Sequence, residues 1–201
     1  MPRTASTMLP LGTTAPDFAL PDVVTGATVS LDTFRQSQAL LVIFASPHCP
    51  FVQHVKYAIA QLSQDFARPD LAIVGISSND VVQYPDDAPD KLRAFAQDLD
   101  LSFPFLFDDS QAVAKAYQAA CTPDFFLFDR DRQLVYRGQL DDSRPGNSIP
   151  VSGHDLRQAI LAVLANQPVP VEQKPSIGCN IKWKPGNEPI YYGTVAVGAV
   201  P

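Results

Sequence analysis

The segment LVIFASPHCPFVQHVK, residues 41–56, most constrains what this chain can fold into. Its apolar, β-branched start predicts a buried strand, and a helical pattern begins near Pro50. Cys49 lies between the two, directly before a proline that suits the first turn of a helix. A thiol at a helix N-terminus is favoured as a thiolate by the helix dipole and by unpaired backbone N–H groups. The alternative is a small buried apolar cysteine, but this position favours a reactive Cys49.

Composition limits the class of protein. The chain has 201 residues, 46% of them hydrophobic, which suits one domain of moderate size with a real core. A net charge of −6 argues against nucleic acid or an anionic membrane surface as a partner. No apolar run approaches the roughly 20 residues that span a bilayer, and the N-terminus shows no secretory pattern. Three cysteines do not predict a disulfide framework, so we expect a cytoplasmic protein.

Strand and helix patterns alternate along the chain. Residues 1–13 are expected to form a loose arm, and Ser30 or Asp32 is expected to cap a short helical turn. We predict strands near residues 18–20, 28–30, 40–45, 71–77, 104–107, 125–128 and 134–137, and helices over 50–66, 90–99, 110–117 and 153–165. The helix at 90–99 is expected to begin with Asp90 as its cap. This order predicts an α/β protein with an N-terminal β-hairpin and a central mixed β-sheet flanked by helices.

The C-terminal part differs in character from the rest. Prolines punctuate residues 166–201, which also contain Cys179. We therefore expect one domain over residues 1–165 and an extended C-terminal tail over 166–201 that packs on the domain or on a partner subunit.

Several blocks of sequence point to a family. The order of the predicted elements resembles that of the thioredoxin-like fold: a strand, a cysteine-bearing turn, a helix, a strand, a helix and then Thr122-Pro123 at the start of a hairpin. The opening APDFALPDVVTGATVSL resembles peroxiredoxins of the alkyl hydroperoxide reductase/thiol-specific antioxidant family. The blocks SPHCPFVQHV, SSNDVVQYPDDAP, FPFLFDDSQAVAKAY, CTPDFFLFDRDRQLVYRGQLDDSRPGN and KPSIGCNIKWK resemble a peroxiredoxin-like branch of that superfamily. The resemblance implies an antioxidant oxidoreductase without a cofactor, and a cis bond before Pro123 at the active-site turn.

The chain departs from the family pattern in ways that affect its chemistry. Members of this branch often carry CNHC where this chain has SPHC, so Ser46 replaces the first cysteine of a CxxC pair. Dithiol exchange within that turn is excluded, and the turn instead resembles the TxxC arrangement of peroxiredoxins. The peroxiredoxin proline four residues before the hydroxyl is Val42 here, and the arginine that peroxiredoxins use near Pro123 is not matched. Three later arginines cannot be placed over Cys49 from sequence: Arg130, Arg132 and Arg137.

Peroxide reduction needs a thiolate nucleophile and donors for the leaving oxygen. Cys49 is the expected nucleophile, and it would pass to a sulfenic acid. Ser46 either hydrogen-bonds the thiolate or the peroxide, or is a plain turn hydroxyl. His48 either raises the thiolate fraction and relays a proton, or is a solvent-facing loop histidine. His54 is expected to be structural, because helical geometry points it away from Cys49.

A sulfenic acid must be resolved by a second thiol. Cys121 is the better internal candidate, because it lies two residues before Pro123, and Cys179 in the tail is the second. Each has the alternative of being an idle thiol. A metal site of His48, Cys49 and His54 is disfavoured because the spacing does not match known zinc sites.

Three functions follow from these residues. The first is a thiol-dependent peroxidase that acts on hydroperoxides through Cys49, with Thr122 and Pro123 beside the site. The second is thiol–disulfide exchange in which Cys49 pairs with Cys121. The third is a redox-silent or sensing binding module of thioredoxin fold. The expected partners are a hydroperoxide or disulfide substrate, a cellular thiol reductant such as a thioredoxin or glutathione, and a second copy of the chain in a homodimer.

Overall fold

The computed structural model describes residues 3–66 and 70–193. The strands are β1 (Arg3–Ala5), β2 (Ala19–Pro21), β3 (Thr28–Ser30), β4 (Ala39–Phe44), β5 (Leu71–Ser77), β6 (Phe105–Phe107), β7 (Cys121–Thr122), β8 (Asp124–Phe128), β9 (Leu134–Gly138) and β10 (Ile177–Asn180). The α-helices are α1 (Pro50–Asp65), α2 (Pro89–Asp98), α3 (Ala112–Ala116) and α4 (His154–Leu164). Short 3-10 helices span Leu31–Phe34 and Pro85–Asp87.

A five-stranded mixed sheet in the order β6-β5-β4-β8-β9 forms the centre of the fold. β4 pairs parallel with β5 and antiparallel with β8. Every residue of β4 is buried, and the strand serves both faces: its odd-numbered residues join one apolar cluster and its even-numbered residues join the other. The first cluster includes the apolar faces of α1, α2 and α4, and the second includes α3. The architecture is the predicted thioredoxin-like mixed sheet flanked by helices.

A second, three-stranded sheet has the order β1-β10-β7. It joins the N-terminal segment, the C-terminal tail and the strand that precedes Pro123. In its antiparallel register Cys179 lies opposite Thr122, and Asn180 lies opposite Cys121. This sheet brings residues from both ends of the chain to the same place.

The sequence patterns predicted most elements and missed the short ones. The helix over 50–66 and the strands at 28–30 and 71–77 are present, and Ser30 caps the first 3-10 helix, as predicted. The prediction of a loose arm was wrong for residues 3–5, because they pair with β10. Ala88, not Asp90, precedes α2, since Pro89 takes the first helical position. The third helix is shorter than predicted because Gln111 adopts a left-handed conformation before Ala112.

The described part of the C-terminal tail packs on the rest of the chain. β10 hydrogen-bonds to two other strands, and Trp183 lies buried in the second apolar cluster, where its ring meets that of Tyr191 edge-on at 6.3 Å. The division into residues 1–165 and 166–201 stays a prediction. Among the described helices, none is both long and apolar enough to span a membrane.

Candidate active site

Cys49 is the N-cap residue of α1. The turn from β4 closes with a hydrogen bond from the Cys49 N–H to the Ser46 carbonyl at 3.1 Å, and Pro50 takes the first helical position. The Gln53 N–H then donates to the Cys49 carbonyl at 2.9 Å, which is the first bond of the helix. In the thiol form, Cys49 Sγ donates to the Thr122 carbonyl at 3.1 Å. Cys49 is only 1% exposed, so its sulfur lies under the surface.

The surroundings of Cys49 favour its thiolate. They lower the pKa of Cys49 from its ordinary value to about 6. The largest cause is a hydrogen bond from the Cys179 thiol, and the Thr122 side chain and the Val52 N–H act in the same direction. Burial of the sulfur opposes these donors, but it is outweighed. At neutral pH Cys49 is therefore mostly a thiolate, which is the reactive form of cysteine.

Cys179 is the thiol that faces Cys49. The hydrogen bond to Cys49 and burial together raise the pKa of Cys179, so it is the protonated partner of the pair. Both sulfurs belong to the same buried cluster, and Cys179 is 3% exposed. Gly178 lets β10 come this close, because a Cβ at that position would overlap the carbonyl of Thr122. The pair is thus set by the packing of β10 on β7.

Cys121 occupies a different environment. Adjacent residues of a strand face opposite sides, so Cys121 lies on the side of β7 away from Cys179, which stands opposite Thr122. Its thiol is 3.6 Å from the Pro123 carbonyl and 3.9 Å from that of Ser176. Complete burial and then the neighbouring Asp124 raise its pKa well above that of a free thiol. The geometry therefore favours Cys179 over Cys121 as the partner of Cys49, the reverse of the order argued from sequence.

Thr122 and Pro123 lie at the Cys49 turn, and the bond between them is cis, as the resemblance implied.

Ser46 and His48 meet on a buried carboxylate. Ser46 Oγ donates to Asp87 Oδ1 at 2.8 Å, and His48 Nδ1 lies 2.7 Å from Asp87 Oδ2. Asp87 is fully buried, whereas the His48 side chain keeps 16% of its exposure. The hydrogen bond from His48 to the Asp87 carboxylate is the main reason that the pKa of His48 is raised, and burial opposes it. The hydroxyl of Ser46 thus donates to the Asp87 carboxylate, and the His48 ring is held by the same carboxylate and is not a free loop histidine.

Sequence reasoning missed the residues that surround His48. The Tyr84 ring stacks on the His48 ring with 6.0 Å between centroids and 2° between planes. Asn79 Nδ2 donates to Asp87 Oδ2 at 2.7 Å, and Asn79 Oδ1 accepts from the Lys182 N–H at 2.8 Å. These residues come from the polar loop after β5 and from the tail. Asp86 and Asp87 are neighbours that the sequence does not distinguish, but in the folded chain Asp87 is buried and Asp86 is exposed.

The guanidinium groups of Arg132, Arg137 and Arg144 hydrogen-bond to groups other than Cys49. The guanidinium of Arg132 donates to the carbonyls of Phe34 and Ser37, and that of Arg137 donates to Leu9 and Gln173. Arg130 lies exposed at the β8–β9 turn. Arg144, in the loop after β9, donates to the carbonyls of Asp141 and Ser143 and to the Gln139 side chain. The basic side chain nearest in sequence to Cys49 is that of His48, the preceding residue.

His54 pairs with Ser143 across the fold, with 2.7 Å between His54 Nε2 and Ser143 Oγ. This contact ties α1 to the loop after β9. Within residues 3–66 and 70–193, no cluster of His, Cys, Asp and Glu side chains suited to a metal ion is present.

Comparison with known proteins identifies the family. The sequence profile of the AhpC/TSA family matches residues 11–137, which is more than half of the chain. The chain belongs to the AhpC/TSA family. This stretch contains the Cys49 turn and the Thr122-Pro123 bond, whereas Cys179 lies beyond it.

One relative of this AhpC/TSA protein carries a name that agrees with that assignment, and two solved structures share its fold. A Mycobacterium tuberculosis protein named "Putative peroxiredoxin Rv2521" is 31% identical over 116 residues, which cover 58% of this chain and 68% of the relative. The solved structure of an uncharacterized conserved protein from Geobacillus kaustophilus is 51% identical, with a TM-score of 0.90 over 92% of this chain and 98% of that one. Peroxidoxin BcpB from Mycobacterium tuberculosis, 21% identical, shares the fold with a TM-score of 0.58 over 77% of this chain and 96% of its own. The protein is a thiol redox protein of thioredoxin-like fold, an oxidoreductase by family.

Proposed function

We propose that this protein is a thiol-dependent peroxidase in which Cys49 is the nucleophile and Cys179 is the resolving thiol. The observation that carries the proposal is the β7–β10 register, which sets Cys179 opposite Thr122, the residue whose carbonyl accepts a hydrogen bond from the Cys49 thiol at 3.1 Å. A sulfenic acid formed on Cys49 would therefore have a second thiol beside it, with which it can condense to a disulfide.

The reaction balances within these two residues. The Cys49 thiolate attacks one oxygen of the hydroperoxide, the O–O bond breaks, and the departing alkoxide takes a proton to become an alcohol. Because Nδ1 of His48 is held by Asp87, Nε2 of the imidazolium is the nitrogen left to supply that proton. The Cys179 thiol then attacks the Cys49 sulfenic acid, which releases water and forms the disulfide. A cellular thiol such as a thioredoxin or glutathione returns two electrons and restores both thiols.

Burial of the sulfurs supports a small oxidant. Cys49 and Cys179 are 1% and 3% exposed, so a protein disulfide reaches them only if β10 moves away. A hydroperoxide is small enough to enter through a local fluctuation. Burial therefore favours a hydroperoxide as the oxidant, and later reduction of the disulfide by a thioredoxin requires β10 to move away.

Thiol–disulfide exchange through the same two cysteines is the second candidate. One observation favours it: Ser46 donates its hydroxyl to Asp87 and not to Cys49, so the hydroxyl of the peroxiredoxin motif is already engaged. In this alternative the Cys49–Cys179 disulfide oxidises a dithiol on another protein, and peroxide is consumed slowly. Exchange with Cys121 as the partner has less support, because Cys121 faces away from the pair.

Stopped-flow mixing with hydrogen peroxide separates the two. The reduced protein and its Cys49→Ser, Cys179→Ser and Cys121→Ser variants are mixed with peroxide, and a sulfenic-acid trap is mapped by mass spectrometry. We expect rapid oxidation at Cys49 alone, a Cys49–Cys179 disulfide in the wild type, and a persistent sulfenic acid only in Cys179→Ser. Slow oxidation spread over all three cysteines, together with fast exchange between the oxidised protein and a dithiol, would instead support the second candidate.

A further inference from the structure

A fully buried carboxylate outside the cysteine pair is held by three side chains. Asp87 Oδ1 accepts from Ser46 Oγ at 2.8 Å, and Asp87 Oδ2 accepts from Asn79 Nδ2 and His48 Nδ1, each at 2.7 Å. A buried charge is costly unless hydrogen bonds and an opposite charge compensate it. Two of these donors are neutral, and His48 is the one donor of the three that can carry a charge opposite to that of Asp87.

The same contacts fix the orientation of His48. Its Nδ1 is directed at Asp87, and its ring is parallel to that of Tyr84, with 2° between the planes and 6.0 Å between the centroids. His48 also directly precedes Cys49, and the two side chains interact electrostatically. A histidine on a loop would otherwise sample many orientations, and only some of them place its charge next to the sulfur.

Other charged groups around His48 act less strongly. Asp87 raises the pKa of His48 through its hydrogen bond and its charge, the Cys49 thiolate raises it further, and Lys182 lowers it. The Lys182 ammonium lies over the Tyr84 ring, 5.8 Å from its centroid, and donates to the Asn180 carbonyl. The hydrogen bond to Asp87 is therefore the largest single cause of the raised pKa of His48, and burial of the ring is the main opposing one.

Asn79 connects this carboxylate to the segment that carries the second cysteine. While its amide nitrogen donates to Asp87, its amide oxygen accepts from the backbone N–H of Lys182, three residues after Cys179. The Lys182 carbonyl in turn accepts from the Asp80 N–H at 2.8 Å. One loop thus holds both the His48–Asp87 pair and the end of β10.

We propose that Asp87 is a positioning residue of the thiol site, which holds His48 as a cation beside the Cys49 sulfur. Asp87 does not touch the substrate; it acts through His48 on the thiolate and on the proton that the departing oxygen receives. The proposal rests on Cys49 as the nucleophile, but it holds whether the oxidant is a hydroperoxide or a disulfide.

The test is the Asp87→Asn variant, which keeps the shape and removes the charge. The Cys49 thiolate is titrated by its ultraviolet absorbance and His48 by NMR. We expect the pKa of His48 to fall and that of Cys49 to rise, because an opposite charge nearby typically changes a pKa by about one unit or more, so that the thiolate fraction at pH 6 falls roughly five-fold. The matched control is Asp22→Asn on the β2–β3 hairpin, a buried carboxylate bonded to Thr25 and to the backbone of Phe105, which should leave both values unchanged.

A double-mutant cycle with His48→Asn separates positioning from a structural role. If Asp87 acts through His48, then Asp87→Asn shifts the Cys49 titration in the wild type and leaves it unchanged in the His48→Asn background. An equal shift in both backgrounds would overturn the proposal. If Asp87→Asn does not fold, His48→Asn alone decides, since an unchanged Cys49 titration would show that His48 does not stabilise the thiolate. These titrations do not depend on peroxide consumption, so their result is separate from that of the peroxidase test.

Discussion

Cys179 lies directly opposite Thr122 across the β7–β10 pairing, and this register presents its thiol to the Cys49 sulfur. Cys49 comes from the strand-to-helix turn of the central sheet, whereas Cys179 comes from the C-terminal tail. The largest cause of the lowered pKa of Cys49 therefore comes from a residue 130 positions away in sequence.

Removal of the Cys179 thiol should destabilise the Cys49 thiolate. In Cys179→Ala the hydrogen bond is lost, so the pKa of Cys49 should rise from about 6 toward the value of about 8.5 of a free thiol. In Cys179→Ser a hydroxyl can still donate, and the increase should be smaller. Titration of the thiolate absorbance in the two variants compares a lost donor with a retained one.

Cys121→Ala is the control for that comparison, because Cys121 is buried on the other side of β7. It should leave the Cys49 titration within experimental error of the wild type. Equal titrations in Cys179→Ala and the wild type would contradict the assignment of Cys179 as the activating donor.

Gly178→Ala should separate β10 from β7. The added methyl group would overlap the Thr122 carbonyl, and because that atom belongs to the backbone it cannot turn aside. We expect a loss of about 1–3 kcal/mol in the free energy of unfolding, typical of overpacking, and at least a ten-fold slower formation of the Cys49–Cys179 disulfide. Denaturant unfolding and quenched-flow disulfide mapping measure the two effects.

The control for Gly178→Ala is Gly186→Ala, also in the tail. Gly186 has a φ of +79°, and no atom lies within 4 Å of the position that a Cβ would take, so the substitution adds backbone strain without a clash. Gly186→Ala should lower the free energy of unfolding by about 1 kcal/mol and leave the rate of formation of the Cys49–Cys179 disulfide unchanged. A similar loss of rate in both variants would mean that general destabilisation of the tail, and not contact with Thr122, governs the pairing.

The central sheet could be predicted from sequence because its signals are local. The uninterrupted apolar runs of β4 and β5, and the three- and four-residue spacing of buried side chains in α1, each lie within a few consecutive residues. Cys49 is found in the same way, from its position between a strand and Pro50.

The partners of Cys49 could not be predicted in this way. β7 and β10 are two and four residues long, and their pairing joins segments about 60 residues apart, with no turn to fix the register. Proximity to Pro123 in sequence makes Cys121 look closer to the site, but alternation along β7 turns it to the other side. Asp87 was missed because burial of its carboxylate depends on three donors from two separate segments, the Cys49 turn and the loop after β5.

The docking of the tail should contribute substantially to stability. Trp183 is 7% exposed and packs in the second apolar cluster against Tyr191. Trp183→Ala should lower the free energy of unfolding by about 3–5 kcal/mol, as large aromatic truncations in cores do. Tyr192→Ala, at a side chain that is 48% exposed, is the control and should change it by less than about 0.5 kcal/mol. Equal, small effects of the two substitutions in denaturant unfolding would mean that the tail is held without Trp183.

The thiolate of Cys49 should also make stability depend on pH. Its folded-state pKa of about 6 lies below the value of about 8.5 in the unfolded chain, so the folded state binds fewer protons between these values. The resulting stabilisation is complete above the unfolded pKa and is lost as the pH falls through 6. Cys179, whose pKa is raised, has the opposite effect only above about pH 8.5, where its unfolded form ionises. Denaturant unfolding of the reduced wild type and of Cys49→Ser should therefore diverge steadily from pH 6 to pH 8.5. A difference between the two proteins that stays constant over this interval would show that Cys49 ionises alike in the folded and unfolded chains.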